Sequence, residues 1–537
     1  MLGAEMLVRS LEAEGVSIVF GYPGAAILPV YDALSRSSIR HVLVRHEQNA
    51  GHAASGYARA AGKAGVCMAT SGPGATNLIT ALATAYMDSI PIVAITGQVG
   101  SELLGRDVFQ EADITGATAS FVKHSYLVKK ADELPQTLRD AFHIATTGRP
   151  GPVLLDLPVD VQQAEAAYQP AGPPRLRGYK PTTKGHPMQV ARLAEALAAS
   201  KRPVLCAGGG VIAAHAVHPF RALADRCGIP VVHTMMGKGV MPYDHPLYLG
   251  MVGTHGAPAA NRAIEASDLL ILVGARVGDR AVMTPNVLAQ KTRIAHIDID
   301  PAEIGKNMST SIPIVGDAKN VLNQLLDKAA PPDTADWLRQ CASFRTPEAP
   351  FADTALVNPR RLIARLSAAM NDNAVYVADV GRNQIWSAKE YNVRRGKFLT
   401  SCGMGTMGYA LPAAIGAQLA RPGTQVVAVC GDGSFQMALP ELATVAQEGL
   451  DVKLVVLRDR RLGMIAELQD AQYGGNRFAV ELGGLPALEP IAAAYGLGYG
   501  RAERDGQVDG AVQRMLRSRG GYLLEALVEG ENPPVSE

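Results

Sequence analysis

Charge of one sign is what this 537-residue chain lacks most: 51 Lys and Arg stand against 50 Asp and Glu, a net charge of +1. That balance supplies no broad field to draw in nucleic acid or an anionic membrane, so a small-molecule substrate is the expected partner. Cysteine is sparse. The six present, Cys67, Cys206, Cys227, Cys341, Cys402 and Cys430, are scattered through mostly apolar runs with no spacing suited to zinc or a disulfide framework. They read as buried thiols in a reducing compartment. No stretch reaches the roughly 18 apolar residues of a membrane span, and the opening MLGAEMLVRSLEAEG is an amphipathic helix with acidic residues rather than a targeting segment. A cytoplasmic location is expected, with an organelle after loss of a transit peptide as the alternative.

What is present is a globular balance, 47% hydrophobic and 19% charged, with enough apolar surface to fold. At about 100–200 residues per domain, the length suggests three units. Short Val- and Ile-rich runs alternate with Ala/Leu-rich helical stretches, the pattern of parallel sheets covered on both faces. VCMAT, PIVAIT, PVLLDLP, RPVLCAGGG, DLLILVGAR, QVVAVCGDG and VKLVVLRD are such runs. The expected fold class is α/β, with three doubly wound domains and mainly parallel sheets. Two proline-rich polar segments, 163–188 and 329–359, interrupt the rhythm and divide the chain into 1–162, 189–328 and 360–537.

The strongest local signal is QVVAVC, a buried strand, followed by GDGS and a helix pattern starting near Phe435. Asp432 then sits at the ligand-binding edge of a doubly wound sheet, beside a helix N-terminus that favours phosphate. The next strand, VKLVVL, ends at Leu457, and Asp459 lies 27 residues after Asp432. One strand–helix–strand step brings both carboxylates to one edge, and hard oxygen ligands beside a diphosphate suit magnesium. A plain glycine turn is the competing reading of GDG alone. Near the other end, VRHEQNAGHAASGYARA puts Glu47 between a strand-like run and a helix of small residues. An ordinary acidic helix-start residue is the alternative there.

The ordered set FGYPGAAILPVYDAL, RHEQNAGHAASGYARA, TSGPGATNLITALATAYMDSIPIVAITGQV, DVFQEADI, LGMVGTHG, DLLILVGARVGDR, AHIDIDPAEIGKN, TSCGMGTMGYALPAAIGAQLA and GDGSFQMALPELATVAQ covers essentially the whole chain. It resembles the catalytic subunits of acetolactate synthase, which are thiamine-diphosphate enzymes. The resemblance implies a carboligase that decarboxylates pyruvate and adds the hydroxyethyl unit to a second 2-oxo acid, with pyruvate the expected acceptor. Glu47 would hydrogen-bond the aminopyrimidine of the cofactor and promote its imino tautomer. The Gly405 carbonyl would meet the cofactor's amino group and Met407 would lie under its bent waist. Val380, Gly381, Arg382 and Asn383 would contact the diphosphate, with Gly24, Gly433, Ser434 and Met464 as further cofactor contacts.

Asp432, Asp459 and Arg461 match the metal site. The family usually ends this motif in two asparagines, where Arg458 and Asp459 stand, so the added negative charge needs an offset, expected from the adjacent Arg458, Arg460 and Arg461. It usually carries glutamine and histidine where Arg382 and Asn383 stand, which makes Arg382 an added phosphate contact. Phe109 and Gln110 match pocket positions. Arg280 matches the arginine that holds the second substrate's carboxylate, against a surface pair with Asp279.

The middle region resembles an FAD-binding domain, with Gly208, Gly209, Thr234, Gly253, His255, Gly274, Arg276, Asp298 and Asp317 as contacts. VGDR stands where FDDR is usual and Met236 where glutamine is common; the resemblance implies bound FAD in a structural rather than redox role, while some catabolic relatives lack it. Leu468 stands where the family has a pocket tryptophan, and Ala25, Gly100, Val108, Val159 and Thr254 also differ at the rim. The family builds each cofactor site from two subunits, so a homodimer or homotetramer is implied, with a regulatory small subunit as a candidate partner. The sequence ends with LLEALVEGENPPVSE, where some relatives carry a longer tail that covers the active site, so that tail is expected to be short or absent. Another thiamine-diphosphate decarboxylase or acyl-CoA lyase, or a non-catalytic member of the fold, are the alternatives.

Overall fold

Runs of β-branched residues with no polar face are stable only as strands covered on both sides. In the computed structural model, which describes residues 1–278, 280–281, 285–345, 351–352 and 354–529, every such run noted above is a buried strand. Asp279 and the tail from residue 530 lie outside the described residues. The first sheet contains β1 (Ile18–Gly21), β2 (Arg40–Leu43), β3 (Gly65–Ala69), β4 (Ile92–Gln98), β5 (His124–Leu127) and β6 (Pro152–Pro158). The second contains β7 (Pro203–Ala207), β8 (Val231–His233), β9 (Tyr248–Met251), β10 (Leu269–Val273), β11 (Arg293–Asp298) and β12 (Ile312–Val315). The third contains β13 (Val375–Ala378), β14 (Lys397–Thr400), β15 (Val426–Gly431), β16 (Val452–Arg458), β17 (Gly498–Ala502) and β18 (Tyr522–Leu527).

The first sheet runs β2-β1-β3-β4-β6-β5 and the third β14-β13-β15-β16-β18-β17, which is the same order on a second stretch of chain. The second runs β12-β11-β10-β7-β8-β9, the order of dinucleotide-binding folds with its switch point between β7 and β10. The strands pair in parallel.

Among the described residues, 1–179, 354–384 and 399–529 form one compact unit, and 180–352 with 385–398 another. In the first unit, two sheets share one apolar cluster that includes Val42, Leu82, Tyr409, Ile415 and Val456. Their joint is the crossing of the Glu47–Ala61 and Ala410–Ala420 helices. Small residues let these backbones touch: a Cβ on Gly56 would lie 2.0 Å from the Ala413 carbonyl oxygen, and one on Gly416 would lie 1.9 Å from that of Ala53. In the second unit, both sheet faces are covered, by clusters around Phe220 and Leu322 on one side and Ile264 and Trp337 on the other. No described helix is long and apolar enough to cross a membrane.

Three local expectations differ from the structure. The helix after GDGS begins at Asp432 rather than near Phe435, because the extended Gly431 already serves as its N-cap. The second polar segment holds a helix, Ala335–Ser343, where Trp337 and Cys341, one turn apart, are buried and the Trp337 indole donates to the Pro203 carbonyl at 3.0 Å. Cys402 is exposed while the other five cysteines are buried, because it lies in a loop rather than on a strand or helix.

Candidate active site

Val380 follows β13, Asp432 follows β15 and Asp459 follows β16, so three neighbouring parallel strands deliver these residues to one edge. The chain reverses its winding between β13 and β15, which makes this the switch point where such sheets bind ligands. Asp432 is 4% exposed. Its Oδ1 accepts the Gly433 N–H at 2.9 Å and its Oδ2 accepts the Arg460 N–H at 2.7 Å. Burial, then the neighbouring Asp459, push its carboxyl up to about 6. Asp459 is also raised, chiefly by burial, against the opposing pull of Arg382.

The charge that offsets Asp459 comes from Arg382, not from the adjacent arginines. Arg382 Nη2 pairs with Asp459 Oδ2, and its Nη1 reaches Glu467 Oε1 at 3.3 Å. Arg458 remains in β16, opposite Leu527 of β18, so its side chain serves the sheet and pairs with buried Glu525 at 2.6 Å. Arg461 faces Glu481 at 2.8 Å. Among the described residues no group of three or more His, Cys, Asp and Glu could cage a metal. Two carboxylates suffice for magnesium when phosphate oxygens and water complete its shell, so this donor set fits that ion. Asn383 Oδ1 is buried without a partner among the described residues, an acceptor left open at the same edge.

The loop before the Ala410–Ala420 helix is held from two sides. Asp379, which the sequence reading passed over, ends β13 and accepts N–H groups from Val380, Gly408 and Ala410 at 2.8–2.9 Å. Its carboxyl is pushed up to about 6 by burial. From the first sheet's helices, Thr84 meets Thr406 at 2.7 Å, and Asp88 accepts the Cys402 and Gly403 N–H groups at 3.0 and 2.7 Å. Gly405, with φ of 64°, is exposed on this loop. A Cβ on Gly433 would lie 3.6 Å from Met407 Cε, and Ser434 Oγ donates to the Val380 carbonyl at 3.4 Å. Met464 lies in the first turn of the Gly463–Tyr473 helix, half-buried. The structure therefore gathers Val380 to Asn383, Met407, Asp432, Gly433, Ser434 and Asp459 around one edge.

Glu47 opens its helix after His46, whose ring caps the Gln48 N–H at 3.2 Å. Its Oε2 accepts from Asn77 Nδ2 at 2.9 Å, and its Oε1 would be 3.4 Å from a Cβ on Gly74. Gly24 approaches Thr70 more closely: a Cβ there would lie 2.5 Å from Thr70 Cβ. Gln110 adopts a φ of 59° against Gly72, and Phe109 beside it is 86% exposed. Arg280 belongs to the other unit, exposed, with its carbonyl accepting the Thr254 N–H at 3.1 Å.

In that unit, Gly208 and Gly209 follow β7, Thr234 follows β8, Gly253 and His255 follow β9, and Gly274 and Arg276 follow β10. Asp298 closes β11 and Asp317 follows β12. All nine therefore lie at or just beyond strand C-terminal ends, the ligand edge. The glycines also serve packing: a Cβ on Gly208 would lie 2.0 Å from the Gly274 carbonyl oxygen. Asp317 caps a helix through the Asn320 N–H at 3.0 Å.

Family models for thiamine pyrophosphate enzymes match in three stretches: the N-terminal TPP binding domain over residues 1–117, the central domain over 190–325 and the C-terminal TPP binding domain over 379–526. Fold and site thus define the class of three-domain thiamine pyrophosphate enzymes. Within it, a probable acetolactate synthase large subunit of Methanocaldococcus jannaschii is 45% identical over 98% of this chain and 92% of its own length. An acetolactate synthase of Mycobacterium bovis is 47% identical over 95% and 85%, and the acetolactate synthase large subunit of Corynebacterium glutamicum is 47% identical over 88% and 78%. The chain belongs to the acetolactate synthase large-subunit family.

Proposed function

We propose that this chain is a thiamine-diphosphate-dependent carboligase that decarboxylates pyruvate and joins the remaining two-carbon unit to a second 2-oxo acid, chiefly another pyruvate. The observation that carries the reading is the near full-length likeness to acetolactate synthases. When bound, thiamine diphosphate supplies the nucleophilic carbon and the electron sink that no side chain provides. Glu47, steadied by Asn77, would handle the pyrimidine proton. Gly405, Met407 and Gly24 would hold the ring system. Val380, Gly381, Arg382, Asn383, Gly433, Ser434 and Met464 would hold the diphosphate, and Asp432, Asp459 and the main chain at Arg461 would hold Mg2+.

Gln110 and Arg280 would orient the acceptor, a guanidinium being well matched to a carboxylate. Residues 1–162 would take the pyrimidine and 360–537 the diphosphate and metal. Residues 189–328 would take FAD, a reading supported by the dinucleotide-binding strand order of the second sheet. A cytoplasmic homodimer or homotetramer completes the reading, and the large-subunit names of the relatives support a small-subunit partner. Incubation with pyruvate, thiamine diphosphate and Mg2+, with and without FAD, followed by product identification is the test. Acetolactate supports the reading; acetaldehyde or no turnover overturns it.

A further inference from the structure

Two carboxylates, one buried and one largely so, stand one residue beyond adjacent strands and repel each other, with little exposure to solvent to screen them. Asp459 is 10% exposed at its side chain and Arg382, its partner, 6%. The arginine is built in rather than draped over the surface. Gly463 has no side chain where it would be needed to block this: a Cβ there would lie 2.2 Å from Arg382 Nε. Glu467, one turn on in the same helix, takes the second guanidinium nitrogen at 3.3 Å. Among the described residues, the Asp459 oxygen away from Arg382 accepts only a long bond, from the Arg461 N–H at 3.3 Å. Of the two arginines adjacent in sequence, Arg458 is committed to Glu525 and Arg460 is exposed.

We propose that Arg382 is a built-in counter-cation of the metal and diphosphate edge: it balances Asp459 before any ion binds, turns the other Asp459 oxygen to the metal position, and adds positive charge for the diphosphate. Arg382 is thus a positioning residue whose worth depends on the charge of residue 459. The inference rests on the assignment of this edge to magnesium and diphosphate.

The consequence is a charge balance that single substitutions upset in opposite senses. Arg382→Gln leaves Asp432 and Asp459 facing each other, and the first cation to arrive relieves them. The metal-free full-length variant should bind Mn2+ alone about tenfold more tightly than the wild type, and lose affinity for inorganic pyrophosphate by a similar factor. Asp459→Asn leaves the guanidinium with Glu467 as its carboxylate partner, so metal-free pyrophosphate affinity should rise and affinity for Mn2+ alone should fall. The double variant Arg382→Gln/Asp459→Asn should return both affinities to within about threefold of wild type.

Titration calorimetry and Mn2+ electron paramagnetic resonance on the four proteins read this without turnover. If Arg382→Gln does not fold, Asp459→Asn and the double variant still decide, because the charge balance requires the double variant to bind Mn2+ better than Asp459→Asn. Mn2+ binding unchanged by Arg382→Gln, or a double variant that binds Mn2+ no better than Asp459→Asn, overturns the inference alone. Wild-type protein that binds neither pyrophosphate nor Mn2+ with thiamine diphosphate overturns both this inference and the proposed function.

Discussion

The Asp379 carboxylate accepts the backbone N–H of Gly408 at 2.9 Å across 29 residues of chain, which ties the end of β13 to the loop carrying Gly405 and Met407. The second oxygen takes the Ala410 N–H at 2.8 Å, and the group is 1% exposed. Asp379→Asn keeps one acceptor and puts an NH2 against a backbone donor. A loss of about 1–3 kcal/mol is expected, the cost of a buried unsatisfied group. Urea unfolding of the apo chain measures it; wild-type stability would show that the loop does not depend on this carboxylate.

Asp156 is a second buried carboxylate, bonded by Thr96 Oγ1 at 2.7 Å and Gln98 Nε2 at 2.9 Å, and burial pushes it up from 3.8 to about 6. It takes up a proton more readily in the folded chain than in the unfolded one. Its contribution is therefore full below the unfolded value and is lost as pH rises through the folded value, so the loss falls between about pH 4 and 6. Asp156→Asn removes the titration. Relative to that variant, the wild type should be more stable at pH 5 than at pH 7.5, and an equal difference at the two pH values would refute the expectation.

Glu47 and Asn77 are expected to separate chemistry from binding. Glu47→Gln removes the proton-handling carboxylate and should lower kcat by about 10²–10⁴-fold with thiamine diphosphate affinity little changed. Asn77→Ala, which frees Oε2, should cost less, mostly in kcat. A Glu47→Gln enzyme with near-normal rate removes that residue from the mechanism.

At the helix crossing, Gly56→Ala or Gly416→Ala forces a methyl group against backbone and should destabilise by about 1–3 kcal/mol or more. Gly506→Ala, with nothing within 4 Å of the added carbon, is the control. Thermal unfolding that cannot distinguish the three would argue against the tight crossing.

Leu468, 40% exposed on the Gly463–Tyr473 helix, bears on acceptor choice. A small apolar difference in a pocket is worth only about 1–3 kcal/mol of discrimination, so with equal pyruvate and 2-oxobutanoate the wild type should make mainly acetolactate. Leu468→Trp should shift the ratio toward acetohydroxybutyrate. A strong excess of that product from the wild type would show that another side chain sets the preference.

The strands were legible because burial on both faces imposes a local signature, an unbroken β-branched run, and all seven runs read from the sequence are strands. The placement of Asp432 and Asp459 followed from the same rule, since a residue one step past a parallel strand must emerge at its C-terminal edge. Contacts set by meeting surfaces were not legible. Arg382 reaches Asp459 across 77 residues, while Arg458 turns to Glu525 and Arg461 to Glu481. Asp379 read as an unremarked strand-end acid.

The sequence alone determined the α/β class, the strands and the candidate chemistry, because periodicity and local turn residues act over a few positions. Only the tertiary structure decided which charge balances which, and that the first and third sheets share one core through the Gly56 and Gly416 crossing. Coulomb pairing and close packing depend on distance in space, and folding brings together groups whose separation along the chain carries no trace of it.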